Sequence, residues 1–317
     1  MISKKSLYLL KNLYDLRNLW ILFTILLFTT PAHSQEAKIT YRVRHILSID
    51  GKTSGSPFSS IQDIYVDKER GEIYVIEGGS NRRVVITNLK GTALYQFVYG
   101  DISPPPLIVD KKGDIYVTDT NRIGVLNYRG IYKRELDLST IPDMENLVIQ
   151  TITFDSDGRL YIGDSGKGRV IVLDRDKKFL FQFGGKGYGQ GKFLNVQTIN
   201  VYNNKIYLLD PALFRVSVFD KRGTFLFSFG RASSLLGGFA MPVDMAVDSK
   251  GRILVVDANR FQVIMFDGSS GRPLFEFGGP RVFYWPKTIE LDKDGRIYVT
   301  DAKNTVRVFE IVEEQIP

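Results

Sequence analysis

Six acids stand at matching points of the 317-residue chain: Glu77, Asp119, Asp164, Asp210, Asp257 and Asp301. Each closes an apolar run of the Ile-Tyr-Val type. Repeated carboxylates are the side chains from which a ring of divalent-cation ligands could be built. Their context points elsewhere. An Asp just before a turn accepts backbone N–H bonds and fixes the loop, and that role is expected of this set. Shortly after these acids come Arg83, Arg122, Arg169 and Arg215, replaced by Gln262 and Thr305 in the remaining copies. The arginines are expected to pair with loop acids or with carbonyls of neighbouring units.

Other chemistry is sparsely provided. The chain has no Cys and two His, His33 and His45. Without Cys there is no disulfide, no thiolate zinc site, no lipid-modified Cys and no covalent haem attachment. Three-His metal sites are out of reach, a Ser-His-Asp triad would have to use His45, and no nucleophile-elbow motif is present. The Gly-rich stretch 184–192, GGKGYGQGK, lacks the Gly-Lys-Ser/Thr ending of a phosphate loop and no helix follows it, so it reads as a linker. No catalytic residue, metal ligand or cofactor is expected. A calcium site of oxygen ligands stays open as the basis of an alternative.

The elements that position these residues come from a repeat. The phrase Asp-x-x-Gly-x-Ile-Tyr-Val-x-Asp, followed by Asn or Arg and an apolar run, recurs six times with a period of about 45 residues. Clear copies occupy 110–126, 248–266 and 292–309; those at 67–86 and 155–173 are recognisable, and 202–219 is worn. Each repeat supplies four strand signals. In the third, TITFD, RLYIGD, RVIVLD and KFLFQFG alternate and are bounded by Gly and Asp. Four antiparallel strands per repeat is the blade of a propeller, so the fold class is all-β, a six-bladed β-propeller. A blade cannot bury both faces alone, so residues 35–317 are expected to form one ring. The last repeat lacks a fourth strand, whereas 41–49, YRVRHILSI, precedes the first repeat and resembles a fourth strand. This segment is expected to complete the last blade and remove a free edge.

The linker at 184–201, GGKGYGQGKFLNVQTINV, and its worn copies at 229–248 and 277–292, followed by the Asp-x-x-Asn-x-Arg-Val element, resemble the NHL repeat. The resemblance covers residues 57–309 and implies an NHL-type propeller in which the loops between strands two and three share one face with the inter-blade linkers. That face is expected to carry Asn81, Arg82, Asn121, Phe214, Asn259, Arg260 and Phe261, with Lys186, Tyr188, Arg231, Arg281, Phe283, Tyr284 and Trp285 from the linkers. Exposed aromatics beside Arg are the composition of interface hot spots. FYWP packing between blades is the competing reading. The leading expectation is a non-enzymatic binding or scaffold module with a protein partner. The alternative is a calcium-dependent hydrolase or lactonase of the gluconolactonase-like propeller type.

The amino-terminal 34 residues differ in character. Lys4, Lys5, Lys11 and Arg17 precede the apolar LWILFTILLFTT, and Ala32 and Ser34 follow. This is the order of a secretory signal, with cleavage expected after Ser34. The competing reading is an uncleaved anchor in the inner membrane, the chain's one membrane contact. Either way the ring is expected outside the cytoplasm, in the periplasm or at the cell surface. The formal net charge of +7 falls to about +4 without this segment, which does not ask for nucleic acid.

Overall fold

The computed structural model describes residues 38–52, 55, 57–99 and 106–316; the signal or anchor reading of 1–34 lies outside them. Among the described residues, twenty-four strands form six antiparallel sheets of four. The inner strands are Ile61–Asp67, Leu107–Val109, Ile149–Phe154, Thr198–Tyr202, Pro242–Val247 and Pro286–Leu291, which begin blades 1 to 6 in that order. Blade 5 shows the pattern: Pro242–Val247, Arg252–Asp257, Gln262–Asp267 and Pro273–Gly278, each hydrogen-bonded to the next. The second and third strands are largely apolar between their ends because neighbouring blades cover both of their faces.

The core is divided among the blade interfaces. Each of the six apolar clusters draws on two adjacent blades. Phe193, Phe239 and Phe283, one from each of three successive linkers, are buried in these seams. Phe283 was expected on the open face, but a short linker folds it between blades 5 and 6. Truncating a buried Phe of this kind costs about 3–5 kcal/mol.

The ring closes as the sequence suggests. Blade 6 has the order Pro286–Leu291, Ile297–Asp301, Thr305–Ile316, Lys38–Ile49, so the amino-terminal strand is its outer edge. Ile49, Phe58 and Ile61 share one cluster with Tyr298, Val306 and Val308 across the blade 6–blade 1 seam. The described part of a separate small unit, 38–40 and 313–316, is joined by the Thr40 hydroxyl, which donates to the Glu314 carbonyl at 3.2 Å.

Candidate functional site: the linker face and the channel

The second-to-third-strand loops and the linkers do share one face, because they exchange backbone hydrogen bonds. Gly78 donates to Ser60, Ser165 to Val148, Ala258 to Met241 and Ala302 to Trp285. The repeated acids pin the same junctions. Asp257 accepts from the N–H groups of Ala240 (2.6 Å), Met241 (3.1 Å) and Arg260 (3.0 Å). Asp210 does the same for Leu194, Ala212 and Leu213, and Asp164 for Val148 and Lys167. Asp164, Asp210, Asp257 and Asp301 are fully buried, so these bonds replace lost hydration.

The arginines complete the clamp. Arg169 reaches Asp164 (2.8 Å), Gln182 (2.7 Å) and the carbonyls of Pro142 and Asp143. Arg215 donates to the carbonyls of Tyr188, Gly189 and Lys192. Arg83 pairs with Glu77 and the Pro57 carbonyl, and Arg122 with Asp119. Where strand three of blade 5 begins with Gln262, Arg260 supplies the guanidinium from the preceding loop. It donates to the carbonyls of Gly238 (2.6 Å) and Leu235 (3.2 Å) and to Glu276 (2.8 Å). In blade 6, where Thr305 stands, Arg307 bonds Asp301 at 3.0 Å. Arg260 is therefore occupied in holding the linker, with little of its side chain exposed.

The other expected face residues divide. Asn81, Asn121, Lys186, Tyr188, Arg231, Asn259, Arg281, Tyr284 and Trp285 are exposed. Asn81 donates to the Ser59 hydroxyl, and Lys186 lies over the carbonyls of Ser165 and Gly166. Arg82 lies over the Tyr99 ring. Phe214 and Phe261 are half-buried in left-handed turns, with φ of 51° and 56°. Trp285, 40% exposed, packs edge-on against Phe261, and Lys303 sits 5.3 Å over the Tyr284 ring. Tyr188 is 76% exposed and Tyr284 57%. Leu235, Leu236 and Met241, exposed on the blade 4–blade 5 linker, join this apolar set and were not singled out in the sequence. Arg281 is placed apart, in a side pocket with His45.

The inner strands enclose a channel of about 310 Å³. In blades 1, 3, 5 and 6 the register of the inner strand slips near its start, as in Ile61/Asp63 and Pro242/Asp244. Such bulges re-aim side chains. Asp63 and Asp244 hold the same place in blades 1 and 5, four residues before the turn acids Asp67 and Asp248; Thr151 and Thr288 hold it in blades 3 and 6. Asp244 ties three blades together: Thr198 donates to its Oδ1 and the Ile289 N–H to its Oδ2, both at 2.8 Å. Lys287 donates to the Ile61 carbonyl (3.0 Å), bridging blades 6 and 1. Glu290 stands between the channel and a cavity of about 630 Å³ at its other mouth, which the turns of blades 1–3 line.

These channel carboxyls are surrounded by protein, though water reaches their edges. Burial pushes Glu290 up to about 8, with nearby Asp244 adding to the shift and Lys68 opposing it. Burial pushes Asp244 up to about 6 against its three hydrogen bonds. Asp63 is raised well above the ordinary range by burial, then by Asp244 and Glu290. No group of three or more acids or histidines among the described residues is drawn together closely enough to hold a metal ion. The clue to this set was in the sequence: polar residues interrupt IQDIYVD, PVDMAVD and PKTIEL.

The chain is thus a six-bladed β-propeller. A family model described as a 6-bladed beta-propeller, DUF5128, matches residues 191–313. No curated protein matches the sequence. Among solved structures the chain is similar to a luciferin-regenerating enzyme, with TM-score 0.58 and 15% identity over 86% of this chain and 95% of that one. It is similar to a catalytically inactive virginiamycin B lyase from Staphylococcus aureus with quinupristin, with TM-score 0.55 and 14% identity over 87% of this chain and 100% of that one. The WD40 β-propeller domain of Doa1 matches with TM-score 0.56 and 14% identity over 79% of this chain and 78% of that one. At such identities the likeness is one of fold.

Proposed function

We propose that this chain is an exported, non-enzymatic binding module of the cell envelope that presents the linker face of blades 4–6 to a protein partner. The observation that carries this reading is the exposed set Tyr188, Leu235, Leu236, Met241, Tyr284 and Trp285 on a backbone pinned by buried acids and arginines. Large apolar side chains on a preorganised support lose little entropy on binding, and Tyr and Trp are favoured as anchors. The export part rests on the basic and apolar order of residues 1–34.

A second reading, a divalent-cation hydrolase, has only Asp63, Asp244 and Glu290 facing one channel in its favour, and they are not drawn together closely enough to form a metal site as they stand. One preparation separates the two. The chain, tagged at its carboxyl terminus, is recovered from the envelope fraction beside a Tyr284→Ala/Trp285→Ala variant, and both are analysed for metals. The expected result is a stoichiometric protein partner with the parent chain and its loss with the variant. A chain recovered alone, with one equivalent of divalent ion, overturns the module reading in favour of the second.

A further inference from the structure

The linkers that cap the clamp arginines are not equal in length. Ten positions separate Phe183 from Phe193 and Phe229 from Phe239, but only six separate Phe277 from Phe283. The longer linkers bring carbonyls back over the guanidinium groups: Tyr188, Gly189 and Lys192 over Arg215, and Leu235 and Gly238 over Arg260. The short linker of blade 6 has no such return. Arg307 bonds Asp301 through Nε, and its terminal nitrogens have no partner among the described residues. Where the linkers over Arg215 and Arg260 place backbone, this seam has a pocket of about 380 Å³.

The pocket's lining is of two kinds. Val43, Phe277, Val282 and Phe309 give it apolar walls. Arg281 and Arg307 supply guanidinium groups, and His45 lies against the edge of Phe309 with its Nε2 3.0 Å from the Ser48 hydroxyl. Asp301, the carboxylate bonded to Arg307, is buried behind it and absent from the lining. Small-molecule sites are concave, mostly apolar and fitted with a few oriented polar groups, in this range of volume. A guanidinium with free terminal N–H groups is matched to a carboxylate, which it takes through two parallel bonds.

We propose that the blade 5–blade 6 seam is a binding site for a small aromatic carboxylate, its ring against Phe277, Val282 and Val43 and its carboxylate between Arg281 and Arg307. His45 lines the same pocket. The site is separate from the exposed apolar set of the linker face, so it stands or falls independently of a protein partner there.

The test is a titration of the full chain with 3-phenylpropanoate and, separately, with its primary amide, following the ring resonances of His45 by NMR. Saturable shifts with the acid and none with the amide are expected. Arg281→Gln, an exposed change that leaves the melting temperature in place, should weaken binding roughly tenfold or more. Val43→Trp, which fills the apolar wall, should remove it while the ring stays folded. Absence of saturable shifts in the parent chain, equal binding of the amide, or unchanged affinity in either folded variant would overturn the proposal.

Discussion

Side chains of like type have different tasks in this protein, decided by where the strand order places them. Five of the six acids that end the second strands are buried and accept backbone N–H bonds, as with Asp257, while Asp119 is half-exposed and bonds Arg122. Among the channel acids Asp244 also accepts three hydrogen bonds, whereas Glu290 lacks such a set and shows the consequence. A carboxyl held above its ordinary value binds its proton more tightly in the folded chain than in the unfolded one. Its contribution to stability is full in acid and is lost as pH rises from the ordinary value of 4.5 through about 8. Asp244 adds a similar decline between 3.8 and about 6. Asp63, Asp244 and Lys68 act on Glu290 at short range, with Tyr65 and Lys287 lining the same space. Glu290→Gln is therefore expected to leave the melting temperature near pH 4 almost unchanged. Near pH 9 it should raise it, because the Gln side chain cannot ionise. A calorimetric pH series showing the same slope in both chains would remove the channel from the account.

At the scale of elements, the strand that closes blade 6 bears the most weight. Lys38–Ile49 pairs with Thr305–Ile316, and Ile49 packs in the blade 6–blade 1 seam. Deleting residues 41–51 is expected to lower the melting temperature by on the order of 10 °C, because an edge and a seam open together. An unchanged transition would mean that the ring holds without it. This strand was legible in the sequence because YRVRHILSI has the pattern of an outer strand and the last repeat lacks one. The repeated acids and arginines were legible for the same reason, since six copies expose what each position must do. What departed from the repeat was harder to read. Phe283 looked like a surface residue because nothing in FYWP says which ring turns inward; the short linker decides it. The takeover of the missing strand-three arginine by Arg260 depends on loop geometry that spacing does not encode. The channel set was hidden by bulges, which turn Asp63 and Asp244 inward at places where simple alternation would leave the choice open.

Over the whole molecule, the ring presents two unlike faces. The linker face carries the exposed Tyr188, Tyr284 and Trp285 and the arginine clamps. The opposite face is built from the Asp-x-x-Gly turns and from the third-to-fourth-strand turns, where Gly130 at φ 74° sits against Phe97 of the preceding blade. Rigid faces of this kind hold a binding surface ready at low entropic cost. Both faces carry exposed lysines: Lys186 and Lys303 on the linker side, and Lys111, Lys112, Lys221 and Lys293 on the other. The proposed partner is expected to cover the first pair and leave the others open. Lysine crosslinking of the intact envelope, followed by mass spectrometry, reads this directly. Inter-protein crosslinks concentrated at Lys186 and Lys303, and lost with Tyr284→Ala/Trp285→Ala, are the result expected. Crosslinks confined to Lys111, Lys112, Lys221 and Lys293, or unaffected by that variant, would contradict it.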